Sequence, residues 1–243
     1  MSITKRKTLT DYFTTSPSKR PKKATTEPIP SAEHAHSSIP GLSLLPNFLT
    51  PPEESQLLTF LSTQTWRTDL ARRVIHYGGT YCLLPPRPAS PEIESTVITA
   101  PPIPPELEWV LDRMVSHGLY ASDARPGYCI VNDYAAGQGI SAHVENFRFG
   151  EPVVGLSLAG GDYMRFHELV GEDDGSVRSG KAGKAERTGR KVDVWLERGG
   201  LVVMRSEARR RWQHEIVRGR KGGKSLGWRR VSLTFRVEKG KER

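Results

Sequence analysis

Residues 128–145 read Tyr128-Cys129-Ile130-Val131-Asn132-Asp133-Tyr134-Ala135-Ala136-Gly137-Gln138-Gly139-Ile140-Ser141-Ala142-His143-Val144-Glu145, and this stretch decides the fold class. Tyr128–Tyr134 is a short run rich in β-branched and aromatic residues, and Ala135–Gly139 is a glycine-rich turn. Downstream, Val153–Leu158, Tyr163–Leu169, Val192–Leu196, Leu201–Met204, Trp212–Val217 and Val231–Val237 are similar runs between glycine and charge clusters. Upstream the pattern is helical. Thr50 can cap a helix that Pro51, Glu53 and Glu54 open, with Leu57, Leu58 and Leu61 as its apolar stripe. A second helix is expected over Pro105–His117. Seven short strands after two helices predict a mainly β barrel or sandwich with the N-terminal helices packed outside it, α+β overall.

The 243 residues suit one domain and a tail. Residues 1–40, rich in Lys, Ser, Thr and Pro, read as a disordered basic tail, and the folded domain as residues 41–238, with its β core at 127–238. Residues 171–191, rich in Gly, Lys and Arg, read as a flexible basic loop. Cys82 and Cys129 are too few for a disulfide framework or a zinc site. No apolar run approaches the roughly 20 residues needed to span a bilayer, so a soluble, intracellular and monomeric protein is expected, with no membrane partner.

The net charge of +9 is segregated along the chain. Residues 41–177 carry eight Lys/Arg against seventeen Asp/Glu, whereas residues 178–243 carry twenty-one against seven. A field of that kind attracts polyphosphate backbones and points to nucleic acid as partner.

His143 and Glu145 stand two apart after the glycine turn, so on extended backbone imidazole and carboxylate converge. His214 lies in a later strand. Two imidazoles and a carboxylate form the facial triad that holds Fe(II) with open positions for a bidentate co-substrate and dioxygen. Arg230, Ser232 and Arg236 alternate with apolar residues and share one side of a strand, as Asn132 and Tyr134 do on another. Guanidiniums turned into a barrel are costly to bury unpaired, and a small dicarboxylate removes that cost through forked hydrogen bonds.

Asn132-x-Tyr134, Gly137-x-Gly139-Ile140, His143-x-Glu145, Trp212-x-His214 and Arg230-x-Ser232 followed by Arg236 resemble, in order and spacing, the AlkB family of Fe(II)/2-oxoglutarate-dependent dioxygenases. The resemblance runs from about residue 41 to 238. It implies a double-stranded β-helix of jelly-roll, cupin-like form, and oxidative dealkylation or hydroxylation of a nucleobase using Fe(II), 2-oxoglutarate and O2. It assigns iron to His143, Glu145 and His214. The far carboxylate of 2-oxoglutarate falls to Arg230, Ser232 and Tyr134, and its keto-acid end to Arg236 and Asn132. Arg72, Arg73, His76, Tyr77 and Tyr81 correspond to the family's substrate lid. Most members resembling this chain carry Asp where Glu145 stands, and DNA-repair members typically an acid where Phe147 stands. Glu145 adds one methylene, and Phe147 offers a stacking surface instead of a hydrogen-bond acceptor.

In the tail, Leu9, Tyr12 and Phe13 resemble the anchors of a motif for the sliding clamp PCNA, although Arg6 stands in place of its leading glutamine. Lys19–Lys23 resembles a nuclear import signal. The function expected is dealkylation of a modified base in DNA or RNA in the nucleus, in alkylation repair. The alternatives are a tRNA-modifying oxygenase and an inactive nucleic-acid-binding module.

Overall fold

A computed structural model describes residues 32–83, 96–146, 148–173, 185–219 and 227–240. Leu9, Tyr12, Phe13, Phe147 and residues 174–184 of the expected basic loop lie outside them.

The described chain runs β1 (His34–Ala35), β2 (Leu42–Leu45), α1 (Pro51–Ser62), β3 (Arg73–Tyr77), β4 (Thr80–Leu83), β5 (Thr96–Thr99), then a 3-10 turn (Pro105–Leu107) leading into α2 (Glu108–Ser116). It continues through β6 (Tyr128–Ala135), β7 (Ile140–His143), β8 (Val153–Leu158), β9 (Asp162–Leu169), β10 (Arg187–Leu196), β11 (Leu201–Met204), α3 (Ser206–Arg210), β12 (Trp212–Ile216) and β13 (Arg229–Arg236). One antiparallel sheet has the order β1-β2-β11-β8-β13-β6-β3, and a second β10-β9-β12-β7; β4 and β5 pair as a separate hairpin. Two facing antiparallel sheets with helices on one outer side form the jelly roll, or double-stranded β-helix, expected.

The larger sheet carries apolar residues on both faces. Toward the helices, Ile75, Val131, Leu156, Leu233 and Phe235 pack with Leu57, Leu61, Val110, Leu111 and Met114. Toward the smaller sheet, Leu42, Val153, Val202 and Met204 meet Phe166, Val194, Trp212 and Ile216. A helical strap ties α1 to α2. Glu53 accepts the Thr50 backbone N–H at 2.9 Å and a forked contact from Arg113, whose Nη1 also donates to the Phe48 carbonyl at 2.9 Å.

Two expectations need correction, and one element had no expectation at all. The fold begins before Gly41: Ile39 is fully buried and β1 pairs with β2, although both β1 residues are exposed and offered no apolar signal. The end of the expected loop is strand, because Arg187–Lys191 extends β10 along β9 and Arg187 donates to Gln213. This half of β10 faces solvent on both sides, so it carries no apolar alternation. Arg205–Arg211 contains the short helix α3, and its Arg209 is only 4% exposed, which a run of four arginines in seven residues does not announce.

Arg113, and then the Thr50 N–H, hold the Glu53 carboxyl down at about 2 from an ordinary 4.5 against the opposing effect of burial. A depressed carboxyl stabilises the fold above its unfolded value, and that stability fades as pH falls from about 4.5 towards 2. Glu53→Gln is therefore expected to lower the melting temperature at pH 7 and to flatten the loss of stability across that acid window in thermal melts followed by circular dichroism.

Candidate active site

Strands β7 and β12 pair so that His143 lies directly opposite His214. Close approach of the two segments depends on Gly139, where an added Cβ would run into the Ile216 carbonyl. The two imidazoles stand 4.4 Å apart. Glu145, two residues beyond His143, turns inward to bury its carboxylate. Its Oε1 lies 3.6 Å from His214 Nε2 and 3.9 Å from His143 Nε2, and the three donor atoms fall within 4.8 Å of one another.

The protonation states suit a divalent metal. Nδ1 of His143 lies 2.8 Å from the Ser141 carbonyl; as donor there it leaves Nε2 as a lone-pair donor towards Glu145. Loss of solvent and then the neighbouring His214 lower the His143 pKa to about 3, so the ring is neutral at physiological pH. Burial opposes ionisation of Glu145, but Arg236, with His214 and His143, holds its carboxyl well below the usual range.

The sequence-predicted residues line one cavity with these ligands: Asn132, Tyr134, Arg230, Ser232 and Arg236 border it together with Ile140, Met164 and Ile216. Register explains this. Arg230 lies opposite Tyr134, and Ser232 opposite both Asn132 and Ser157, so all of them share the inner face of the larger sheet. Arg230 is 2% exposed, donates from Nη2 to Ser157 Oγ at 2.8 Å, and among the described residues has no partner for Nε. A buried guanidinium supported by a hydroxyl, with an idle donor, fits a carboxylate. Ser157 was not foreseen as part of the site; its one signal is a lone hydroxyl between Leu156 and Leu158.

Arg236 has a different environment from the one expected. Its Nε and Nη2 fork onto Glu145 at 2.7 and 3.0 Å, so this guanidinium is bound to the triad carboxylate. Asn132 accepts from Arg72 Nε at 2.6 Å. Thus Arg72, and not Arg73, reaches the inner face from the lid segment. Along β3, alternation divides the expected lid residues. His76 lies opposite Ile130 on the inner side, while Tyr77 is buried in the helix-side core near Gln64, and Arg73 forks onto Asp133. Tyr77 and Arg73 are therefore placed away from the cavity.

His76, Tyr81, Tyr128 and Phe149 form a chain of rings with successive centroids 4.6, 5.8 and 5.1 Å apart. Arg148 lies 5.2 Å over both Tyr128 and Phe149, and Arg236 lies 5.4 Å over Phe149. Burial, followed by the charges of Arg67, Arg236 and Arg72, lowers the His76 pKa to about 4. His76 is accordingly neutral. Tyr128 and Arg148 were not foreseen, because nothing local in sequence joins them to Tyr81.

Residues 41–236 match the sequence model of the 2OG-Fe(II) oxygenase superfamily. The chain belongs to that superfamily. This 2OG-Fe(II) oxygenase is 25% identical over 209 residues to the uncharacterized protein L905 of Acanthamoeba polyphaga mimivirus, covering 82% of this chain and 85% of the viral one. It is 30% identical over 189 residues to the "alkylated DNA repair protein ALKBH8 homolog" of Arabidopsis thaliana, covering 74% of this chain and 51% of that protein. Identity is 26% over 183 residues to the Xenopus tropicalis "tRNA (carboxymethyluridine(34)-5-O)-methyltransferase alkbh8", covering 73% and 25%. The chain therefore spans about half the length of the plant relative and a quarter of the amphibian one. The solved structure of OsALKBH1 shares the fold, with a TM-score of 0.52 at 18% identity, covering 81% of this chain and 98% of that one. As a 2OG-Fe(II) oxygenase, the protein uses Fe(II) as cofactor and 2-oxoglutarate as co-substrate.

Arg230→Ala is expected to raise the dissociation constant for 2-oxoglutarate at least about tenfold in the metal-loaded protein, since stripping one partner from a buried charged contact costs about 2–5 kcal/mol. Isothermal titration measures it, and unchanged affinity removes Arg230 from the co-substrate site. Glu145→Asp should keep metal binding within about tenfold, whereas Glu145→Gln, which deletes the anion at nearly constant shape, should lose more than that. Equal tolerance of Asp and Gln in a Mn(II) titration would show that Glu145 is no ligand.

Proposed function

We propose that the protein oxidises an alkyl group on a nucleobase of DNA or RNA, in repair of alkylation damage. The observation that carries this reading is the aromatic cluster of His76, Tyr81, Tyr128 and Phe149, which Arg236 links to Glu145 of the triad. A flat base turned out of its strand stacks on such rings, and a guanidinium like that of Arg148 suits its phosphate. The strongly basic C-terminal quarter and the names of the plant and amphibian relatives support a nucleic-acid substrate.

His143, Glu145 and His214 would hold the iron, and Arg230 with Ser232 and Tyr134 would take the distal carboxylate of 2-oxoglutarate. Fe(II) and 2-oxoglutarate together supply oxygen activation and transfer of one oxygen atom into a C–H bond, with loss of CO2 from the co-substrate. Arg236 keeps Glu145 anionic. Ile140, Met164 and Ile216 keep water from the cavity, and the ring wall orients the alkyl group. A hydroxymethyl formed on nitrogen then leaves as formaldehyde.

Formaldehyde release and 2-oxoglutarate turnover, measured with methylated single-stranded DNA, duplex DNA and tRNA beside unmodified controls, test this reading. At least one modified strand is expected to stimulate turnover over its control; no stimulation by any of them would overturn the proposal. The relatives named for tRNA give the tRNA arm its interest as a second reading. Tyr81→Ala should raise the KM for the responsive strand several-fold, as expected for about 1–3 kcal/mol of stacking, while leaving substrate-free 2-oxoglutarate turnover intact.

Nuclear action at the replication clamp belongs to the same proposal. Leu9, Tyr12 and Phe13 would be the anchors on PCNA, and Lys19–Lys23 the import signal. Phe13→Ala in the full chain should abolish co-precipitation with PCNA, and unchanged capture would remove this part.

A further inference from the structure

The short helix α3 connects β11 to β12, the strand that carries His214. Its Arg209 is 4% exposed, and among the described residues no carboxylate lies within salt-bridge distance of it. Nη2 instead donates to two backbone carbonyls, Asn146 O at 2.9 Å and Phe149 O, while Nε has no partner. Both carbonyls belong to the turn that follows Glu145, closed by Phe149 N–H donating to Asn146 O at 3.1 Å. A second tie joins the same two segments, because the Ser206 backbone N–H donates to Glu151 Oε2 at 2.8 Å.

Burying a guanidinium with only neutral acceptors is unfavourable, and a structural strap needs no charge there. The charge makes sense through Glu145. Burial lowers the Arg209 pKa, and the Glu145 carboxylate is the first group to oppose that, followed by Glu151. Glu145 thus lies in the field of two guanidiniums, Arg236 in direct contact and Arg209 behind its turn.

We infer that Arg209 is a positioning residue for the metal centre: its buried guanidinium grips the Asn146–Phe149 turn from α3 and so fixes Glu145 relative to His214. Of the three ligands, His143 and His214 are set against each other by β-pairing. Glu145 lies beyond the end of β7 and lacks that constraint. Arg236 holds its carboxylate, and Arg209 restrains its backbone by linking the turn after one ligand to the segment that leads into another. The longer Glu side chain, with one more torsion than Asp, makes such a restraint more consequential. Arg209 does not touch the metal or either substrate.

The inference rests on the assignment of His143, Glu145 and His214 as ligands, and the experiment separates the two. Mn(II) affinity is measured by electron paramagnetic resonance on the full chain without co-substrate, alongside far-ultraviolet circular dichroism and the visible spectrum of a Co(II) derivative. In folded Arg209→Met, Mn(II) affinity is expected to fall about 10- to 100-fold, the usual effect of losing a residue that orients a ligand, and the Co(II) bands should shift. Arg209→Lys, which keeps the charge and one donor, should recover part of the affinity. Arg125→Ala, which frees Glu108 and Asp112 on the helical side, should match the wild type. If Arg209→Met fails to fold, Arg209→Gln takes its place with the same expected loss. A folded variant with a lower melting temperature but wild-type Mn(II) affinity and Co(II) spectrum would make Arg209 a structural strap and overturn the inference. If the wild type itself binds no Mn(II), the ligand assignment falls first and this inference falls with it.

Discussion

The fork between Arg236 and Glu145 is the contact on which the interior depends. Both side chains are taken out of water between two sheets, where a lone charge would cost several kcal/mol. Pairing lets Glu145 stay anionic, beside the neutral imidazole of His143 and the ring of His214. Arg230 then remains as a cation without a carboxylate partner among the cavity-lining residues. The protein's own charges in the cavity therefore sum to about one positive. A divalent metal adds two, and a dianionic co-substrate removes two. With the metal alone the sum rises to about three positive, and the dianion brings it back to about one, so a bound metal favours the co-substrate.

This polar interior is tolerable because stability is built elsewhere. On its helix side the larger sheet meets α1 and α2 through an apolar core with none of the site's groups in it. Between the sheets, a second cluster around Phe166, Trp212, Val202 and Met204 fills the barrel next to the cavity. Strand alternation separates the two tasks. On β13, Val231, Leu233 and Phe235 belong to the helix-side core, and Arg230, Ser232 and Arg236 to the cavity. One strand thus serves as wall for both, and a one-residue slip would exchange its two faces.

Sequence pattern located seven of the described strands, β6 and β8 to β13. Tyr128–Tyr134, Val153–Leu158 and Leu201–Met204 agree with β6, β8 and β11 to within a residue. It missed the short strands β2 to β5 and β7, and also β1 and the outer half of β10, which are strands by hydrogen bonding alone and bury little of their own. The residues offered for the metal and for the carboxylate pocket fall together in space because a spacing of two fixes a common face. The role of Arg236, the back-facing positions of Arg73 and Tyr77, and the participation of Ser157 and Arg148 depend on which strand lies beside which. No local spacing encodes that. Arg209 is the hardest case, since inside Arg209-Arg210-Arg211 a buried guanidinium looks the same as its exposed neighbours.

Among the described residues, strand β7 is the last strand of the smaller sheet, held on one side only by β12, with irregular register between its two paired positions. An edge of four residues with so few rungs is the kind of element that opens locally before the domain unfolds. His143 sits on it and His214 on its neighbour, so an ion bound by both clips the edge to the sheet. The free energy of closing this segment then includes a term that grows with the logarithm of free metal concentration. Iron supply and local folding become linked quantities, and a metal-starved cell would hold a larger fraction of molecules with this edge open and within reach of proteases.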